Sequence, residues 1–106
     1  MTKLAIVATI KVSPGRRDDY LKHLRGHAER CLANEPGTLQ FAILAPHDDP
    51  DALMLYEVYA SSDAFQAHRN GESMKQVRRD SAGLQVSLSE PPAQAVSTAS
   101  ARTPKA

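Results

Sequence analysis

Leu55-Tyr56-Glu57-Val58-Tyr59-Ala60, followed at once by Ser61-Ser62-Asp63-Ala64-Phe65-Gln66-Ala67-His68, joins a strand directly to a helix. The first six positions are apolar or aromatic except for Glu57, the pattern of a strand buried on both faces. Ser61 or Ser62 then caps a helix whose first turn carries Asp63 at the positive end of the dipole. A lone carboxylate is costly to bury, so Glu57 either has a structural partner or performs a task.

Upstream, Ala52 to Ala60 is preceded by the polar turn His47-Asp48-Asp49-Pro50-Asp51, and Thr38-Leu39-Gln40-Phe41-Ala42-Ile43-Leu44-Ala45 is extended up to Pro46. The two runs are expected to pair as an antiparallel hairpin. From Arg16 to about Asn34, the positions Tyr20, Leu21, Leu24, Ala28, Cys31 and Leu32 recur at helical spacing, with Lys22, Arg25, Glu29 and Arg30 outside. Glu35-Pro36-Gly37 ends that helix. Leu4 to Val12 is a short, nearly continuous apolar run closed by Ser13-Pro14-Gly15, which reads as a buried strand and a turn. Downstream of His68 the helix breaks near Asn70-Gly71 and resumes from Glu72 to about Asp80, with Met74 and Val77 inward. Gly83 to Leu88 then alternates as a last strand.

The order strand, helix, strand, strand, helix, strand predicts an α+β, ferredoxin-like βαββαβ fold: a four-stranded antiparallel sheet with its helices on one face. The first and third strands are apolar on both faces, so the uncovered side would be a large exposed patch. A second copy packed sheet to sheet, a homodimer, is expected to cover it.

The 106 residues read as one domain over 1–88 and a tail over 89–106. The tail has Val96 as its only bulky apolar residue and no period that could bury a face, so it is expected to be disordered or draped on a partner. A net charge of +1, spread without blocks, gives no footprint for nucleic acid or a membrane surface. One cysteine, Cys31, excludes an internal disulfide framework and fits a reducing compartment. Leu4 to Ile10 is followed by Lys11 and a charged turn without a cleavage site, and no run is long enough to span a membrane. A cytoplasmic location is expected.

Few residue groups suggest chemistry. His23 and His27 stand at i, i+4 on the first helix, a chelating spacing without an evident third ligand, and are read as solvated imidazoles on the helix flank. His47 with its neighbouring aspartates lacks the spaced glycine and terminal glutamate of a calcium loop and reads as a polar turn. Cys31 falls on the apolar helix face, as a small buried hydrophobe does. No nucleophile elbow, phosphate loop, flavin or nicotinamide motif is present, so no metal and no cofactor is expected. Glu57 remains. By alternation it shares a face with Leu53, Leu55 and Tyr59. Burial would raise its pKa and suit it to hold or orient a proton; alternatively it pairs across a dimer seam with an arginine or a backbone amide. His68, three residues after Phe65, lies on the apolar side of its helix, either as a general base or as a hydrogen-bonded core residue.

Pro14-Gly15 after the first strand, Glu35-Pro36-Gly37-Thr38 into the second, and Tyr56-Glu57-Val58-Tyr59 followed by Asp63 to His68 together resemble the antibiotic biosynthesis monooxygenase domain of the dimeric α/β-barrel superfamily, over about residues 4 to 88. The resemblance implies a ferredoxin-like protomer, a dimer, and a pocket between helices and sheet. Members include quinol and anthrone monooxygenases that use molecular oxygen without metal or flavin, isomerases of a phosphorylated quorum signal, and haem degraders. Glu57 and His68 match the strand glutamate and helix histidine of the quinol monooxygenase-like branch. That branch often has a second histidine a few residues on, where this chain has Glu72-Ser73-Met74, and the chain lacks the tryptophan on which anthrone oxygenases and haem degraders rely.

The expectation is a cofactor-independent monooxygenase acting with molecular oxygen on a small quinol-like or polyphenolic substrate. His68 would take a proton, Glu57 would orient or hold it, and Tyr59, Phe65 and Phe41 would wall the pocket. Tyr59 is preferred to Tyr56 because it shares the face of Glu57. Two other readings stand beside it: an isomerase or proton-transfer enzyme on a small metabolite or quorum signal, and a non-catalytic dimeric ligand-binding module.

Overall fold

The computed structural model describes residues 2–94 and 96. β1 (Leu4–Val12) leads through the Pro14-Gly15 turn into α1 (Arg17–Asn34), then β2 (Thr38–Leu44), β3 (Ala52–Tyr59), α2 (Ser62–Arg69), α3 (Glu72–Asp80), β4 (Gln85–Ser89) and β5 (Pro92–Gln94). The sheet is antiparallel in the order β2-β3-β1-β4, the ferredoxin-like arrangement, and it is not closed into a barrel within the chain.

β1 is central. Leu4 to Lys11 pair in register with Tyr59 to Ala52 on one side. On the other side β4 pairs along Thr9 to Val12 and β5 along Leu4 to Ile6. The fold therefore reaches past the boundary expected at Leu88. Pro91-Pro92 reads as the end of ordered pairing but only interrupts it, because an edge strand tolerates a residue without an N–H. The remainder of the expected tail, apart from Val96, lies outside the described residues.

The inner face of the sheet carries the core: Ile6, Ala8 and Ile10 of β1 and Leu53, Leu55 and Tyr59 of β3 pack with Tyr20 and Leu24 of α1 and Phe65 of α2. Each such side chain contributes about 1.5–3 kcal/mol by leaving water. The opposite face is open. Val7, 47% exposed, lies opposite Tyr56 on β3, and Leu44, 50% exposed, lies opposite Met54.

Two local devices set where α2 lies. Ser61, the residue between β3 and α2 in cap position, accepts a hydrogen bond from the Ala64 N–H at 3.1 Å. Gly37 lets the start of β2 approach α2 closely: a Cβ there would meet the Ala64 Cβ at 2.4 Å, and the Gly37 carbonyl accepts from the Ala60 N–H at 2.8 Å. At the far end of the sheet the acidic turn is a clasp. Asp49 pairs with Lys11, and Asp51 accepts from the Gly15 N–H at 3.0 Å. Among the described residues no helix is long and apolar enough to cross a membrane.

Candidate active site

The buried stripe of α1 runs Tyr20, Leu24, His27, Cys31 in steps of three or four, with Ala28 beside it, so His27 takes its place between Leu24 and Cys31. His27 is only 3% exposed, which corrects its expected place on a solvated flank. The signal was in the spacing: an imidazole at a stripe position is inward whatever its polarity. Glu35 sits at the C-terminal cap of the same helix, where its backbone N–H reaches the Cys31 carbonyl.

Glu57 and Tyr59 share the inner face of β3, as alternation requires. Tyr59 donates a hydrogen bond to Glu57 Oε1, which gives the glutamate a partner inside the protomer. Tyr59 is wholly buried and stands behind Glu57, outside the cavity wall it was expected to form. His68, 2% exposed, comes from the last turn of α2. Its Nδ1–H donates to Glu35 Oε1 at 2.8 Å, and that same oxygen accepts from Thr38 Oγ1 at 2.8 Å. Its Nε2 stands 3.7 Å from Glu57 Oε1, too far for a direct hydrogen bond. Phe65 stacks near its ring at 6.4 Å between centroids, and Tyr59 lies closer, at 5.0 Å.

A cavity of about 230 Å³ opens between the inner sheet face and the helices, with Glu57, His68, His27, Phe41 and Phe65 in its lining. Phe41 meets the His27 ring edge-on at 5.6 Å. Drug-sized ligands occupy about 300–1,000 Å³, so this space suits a small molecule. Arg69 and Arg78 also line it, with Gln85 and Leu88 of the edge strand β4.

Electrostatics follow from burial. The Glu57 carboxyl is pushed above the usual range by desolvation, against the opposing effects of the Tyr59 hydrogen bond and the His68 charge. The Tyr59 hydroxyl is pushed up by burial and then by Glu57. Burial lowers His27 to about 4, and a positive charge on His68 or Arg30 would act in the same direction, so this ring is neutral at physiological pH. The Cys31 thiol is pushed up to about 12 by burial and then by Glu35.

The carboxylate of Glu35 fixes the tautomer of His68: Nδ1 carries hydrogen, and Nε2 presents its lone pair toward Glu57 and the cavity. A substrate hydroxyl lodged between Nε2 and Glu57 would lie within reach of an imidazole on one side and a carboxyl on the other. Sequence reasoning missed Glu35, whose place before Pro36-Gly37 marks a helix end and nothing more. It also missed His27. Ser73 stands where the second histidine was looked for, and it serves an imidazole from α1: Ser73 Oγ lies 2.8 Å from His27 Nδ1 and accepts from Arg30 Nε at 3.0 Å. Cys31 Sγ lies between the two rings, 3.6 Å from His27 Nδ1 and 3.6 Å from His68 Nδ1, so these three residues form a compact set of metal-ligand type.

A family model described as antibiotic biosynthesis monooxygenase matches residues 4–80. Among solved structures, a proposed antibiotic biosynthesis monooxygenase from Caulobacter crescentus is 25% identical, with 91% of this chain and 92% of that chain covered and a TM-score of 0.84. Another so described, from Nitrosomonas europaea, is 21% identical, with coverage of 89% and 90% and a TM-score of 0.83. A third, from Chloroflexus aurantiacus, is 21% identical, with coverage of 92% and 97% and a TM-score of 0.81. These likenesses agree on the fold. No curated protein matches the chain.

Proposed function

The chain belongs to the antibiotic biosynthesis monooxygenase family, and from that premise we propose that it is a monooxygenase for a small, electron-rich aromatic diol, with His68 as base. The observation that carries the reading is the line Glu35–His68–Glu57 at the cavity: one carboxylate on Nδ1, a second 3.7 Å from Nε2. His68 Nε2 takes the hydroxyl proton of the diol. The resulting anion is electron-rich enough to reduce dioxygen by one electron, and the two radicals combine at a ring carbon. Loss of water from the hydroperoxide leaves a hydroxylated quinone, so naphthoquinol and dioxygen give hydroxynaphthoquinone and water. The quinol supplies all four electrons that dioxygen takes up. Glu57, whose protonated form burial favours, returns a proton to the departing oxygen. The apolar wall at Phe41 and Phe65 suits an aromatic ring of limited size.

We assign the open sheet face around Val7 and Tyr56 to a second copy of the chain, which would bury its apolar side chains. Reaction of a reduced naphthoquinol under isotopically heavy dioxygen tests the chemistry. The label is expected in the hydroxyquinone. Label entering from water, or a change in the diol without oxygen consumption, would assign the same residues to proton transfer instead.

A further inference from the structure

We propose that His27, Cys31 and His68, with Glu35 as fourth donor, form a binding site for a thiophilic divalent cation of the zinc type.

A tetrahedral ion with about 2.3 Å to sulfur and about 2.1 Å to nitrogen separates those donors by about 3.6 Å. Cys31 Sγ stands 3.6 Å from His68 Nδ1 and 3.6 and 3.7 Å from the two nitrogens of His27. Because the sulfur is nearly equidistant from both His27 nitrogens, rotation of that ring about its Cβ–Cγ bond brings either to a shared ion. The donor atoms of the three residues all lie within 4.8 Å of one another, and all three residues are buried. Glu35 Oε1, already 2.8 Å from His68 Nδ1, is placed to supply the fourth position.

Chemistry and charge agree with the geometry. Two imidazoles, a thiolate and a carboxylate are the donors that zinc takes, and one thiolate with one carboxylate neutralises a dication in a buried site. His27 is uncharged and its nitrogens are available as donors. The Cys31 thiol holds its proton in the metal-free chain, so coordination forms a metal–sulfur bond, breaks the S–H bond and releases one proton to solvent. His68 moves its hydrogen from Nδ1 to Nε2 as Nδ1 binds the ion. Glu35 accepts the Nδ1–H of His68 in the metal-free chain and coordinates the ion in the loaded one. That the loaded and base-competent forms exclude each other rests on the oxygenase reading; the site itself does not.

Titration of chelator-stripped, full-length protein with Co²⁺ alone, followed by Zn²⁺, decides the matter by spectroscopy and independently of turnover. One equivalent of Co²⁺ is expected to give the intense visible bands of a four-coordinate ion and a thiolate-to-cobalt charge-transfer band, with about one proton released. One equivalent of Zn²⁺ should bleach both. Cys31 is the only cysteine of the chain, so the charge-transfer band can have no other source. Cys31→Ser should remove that band, and His27→Gln should weaken binding at least tenfold, in variants that still melt cooperatively. A pale six-coordinate spectrum without the thiolate band in the wild type overturns the proposal, whatever the variants do.

Discussion

Glu35 Oε1 accepts a hydrogen bond from His68 Nδ1 at 2.8 Å from a position 33 residues earlier in the chain, at the other end of a strand–strand–helix path. The bond does to the imidazole what a carboxylate does in any oriented acid–base pair: it fixes the tautomer, limits ring rotation and stabilises the charged ring after proton uptake. In Glu35→Gln the amide can still accept from Nδ1 but no longer balances the imidazolium. We expect kcat for quinol oxidation to fall by about tenfold to a hundredfold with a much smaller change in KM. Steady-state oxygen uptake at several quinol concentrations checks this; a change confined to KM would place Glu35 in substrate binding.

Glu57 makes stability depend on pH in a sense opposite to most carboxylates. Burial raises its folded pKa above the ordinary value of a glutamate, so the folded state binds the proton more tightly than the unfolded one. The contribution is fully present below the unfolded value and is lost as pH rises through the folded one. His27, lowered to about 4, acts in the opposite sense over the same window, so the Glu57 part is read as a difference: in chelator-stripped protein, the Tm of the wild type should fall relative to that of Glu57→Gln as pH rises from about 4.5. Parallel melting curves across that window would mean that the carboxyl is ionised as easily in the fold as outside it.

Gly37 bears on the site through packing. Gly37→Ala drives a methyl into the Ala64 Cβ, 2.4 Å from the position it would occupy, and separates β2 from the helix that carries His68. Overpacking of this kind costs about 1–3 kcal/mol. Chemical denaturation measures the loss, and turnover per folded molecule should fall as well because His68 moves relative to Glu35. Wild-type stability in Gly37→Ala would show that the junction yields freely.

The open sheet face supplies a separate test. Val7→Asp puts a charge at the centre of the apolar outer surface, opposite Tyr56, without touching the cavity lining. Sedimentation velocity should show a dimer for the wild type and a monomer for Val7→Asp. A monomeric wild type would remove the assignment of that face to a second copy.

The run from Leu55 to His68 made the fold legible because period-2 burial passes there directly into a capped helix, and local rules govern both. Glu57 and His68 were legible for the same reason: each is a polar residue at a position that periodicity assigns to the interior. Glu35 was not, because its role depends on a contact with His68 that no local pattern encodes. His27 was legible in spacing and misread in chemistry, since a histidine at a stripe position was weighted by polarity over phase. Tyr59 shows the limit of alternation. It gives the face and not the depth, and full burial behind Glu57 makes this residue a hydrogen-bond donor to the glutamate where a cavity wall was expected. β5 was hidden by the two prolines at its start, which mark an edge as readily as an end.

The central claim is that His68 is the proton acceptor for an oxygen-consuming reaction. Its most direct test is the rate of dioxygen uptake with reduced naphthoquinol, compared between wild type and His68→Ala at equal concentrations of folded, chelator-stripped protein. Uptake above the uncatalysed rate is expected in the wild type, with a loss of about 10²- to 10⁴-fold in His68→Ala. Equal uptake by the two proteins would contradict that role of His68.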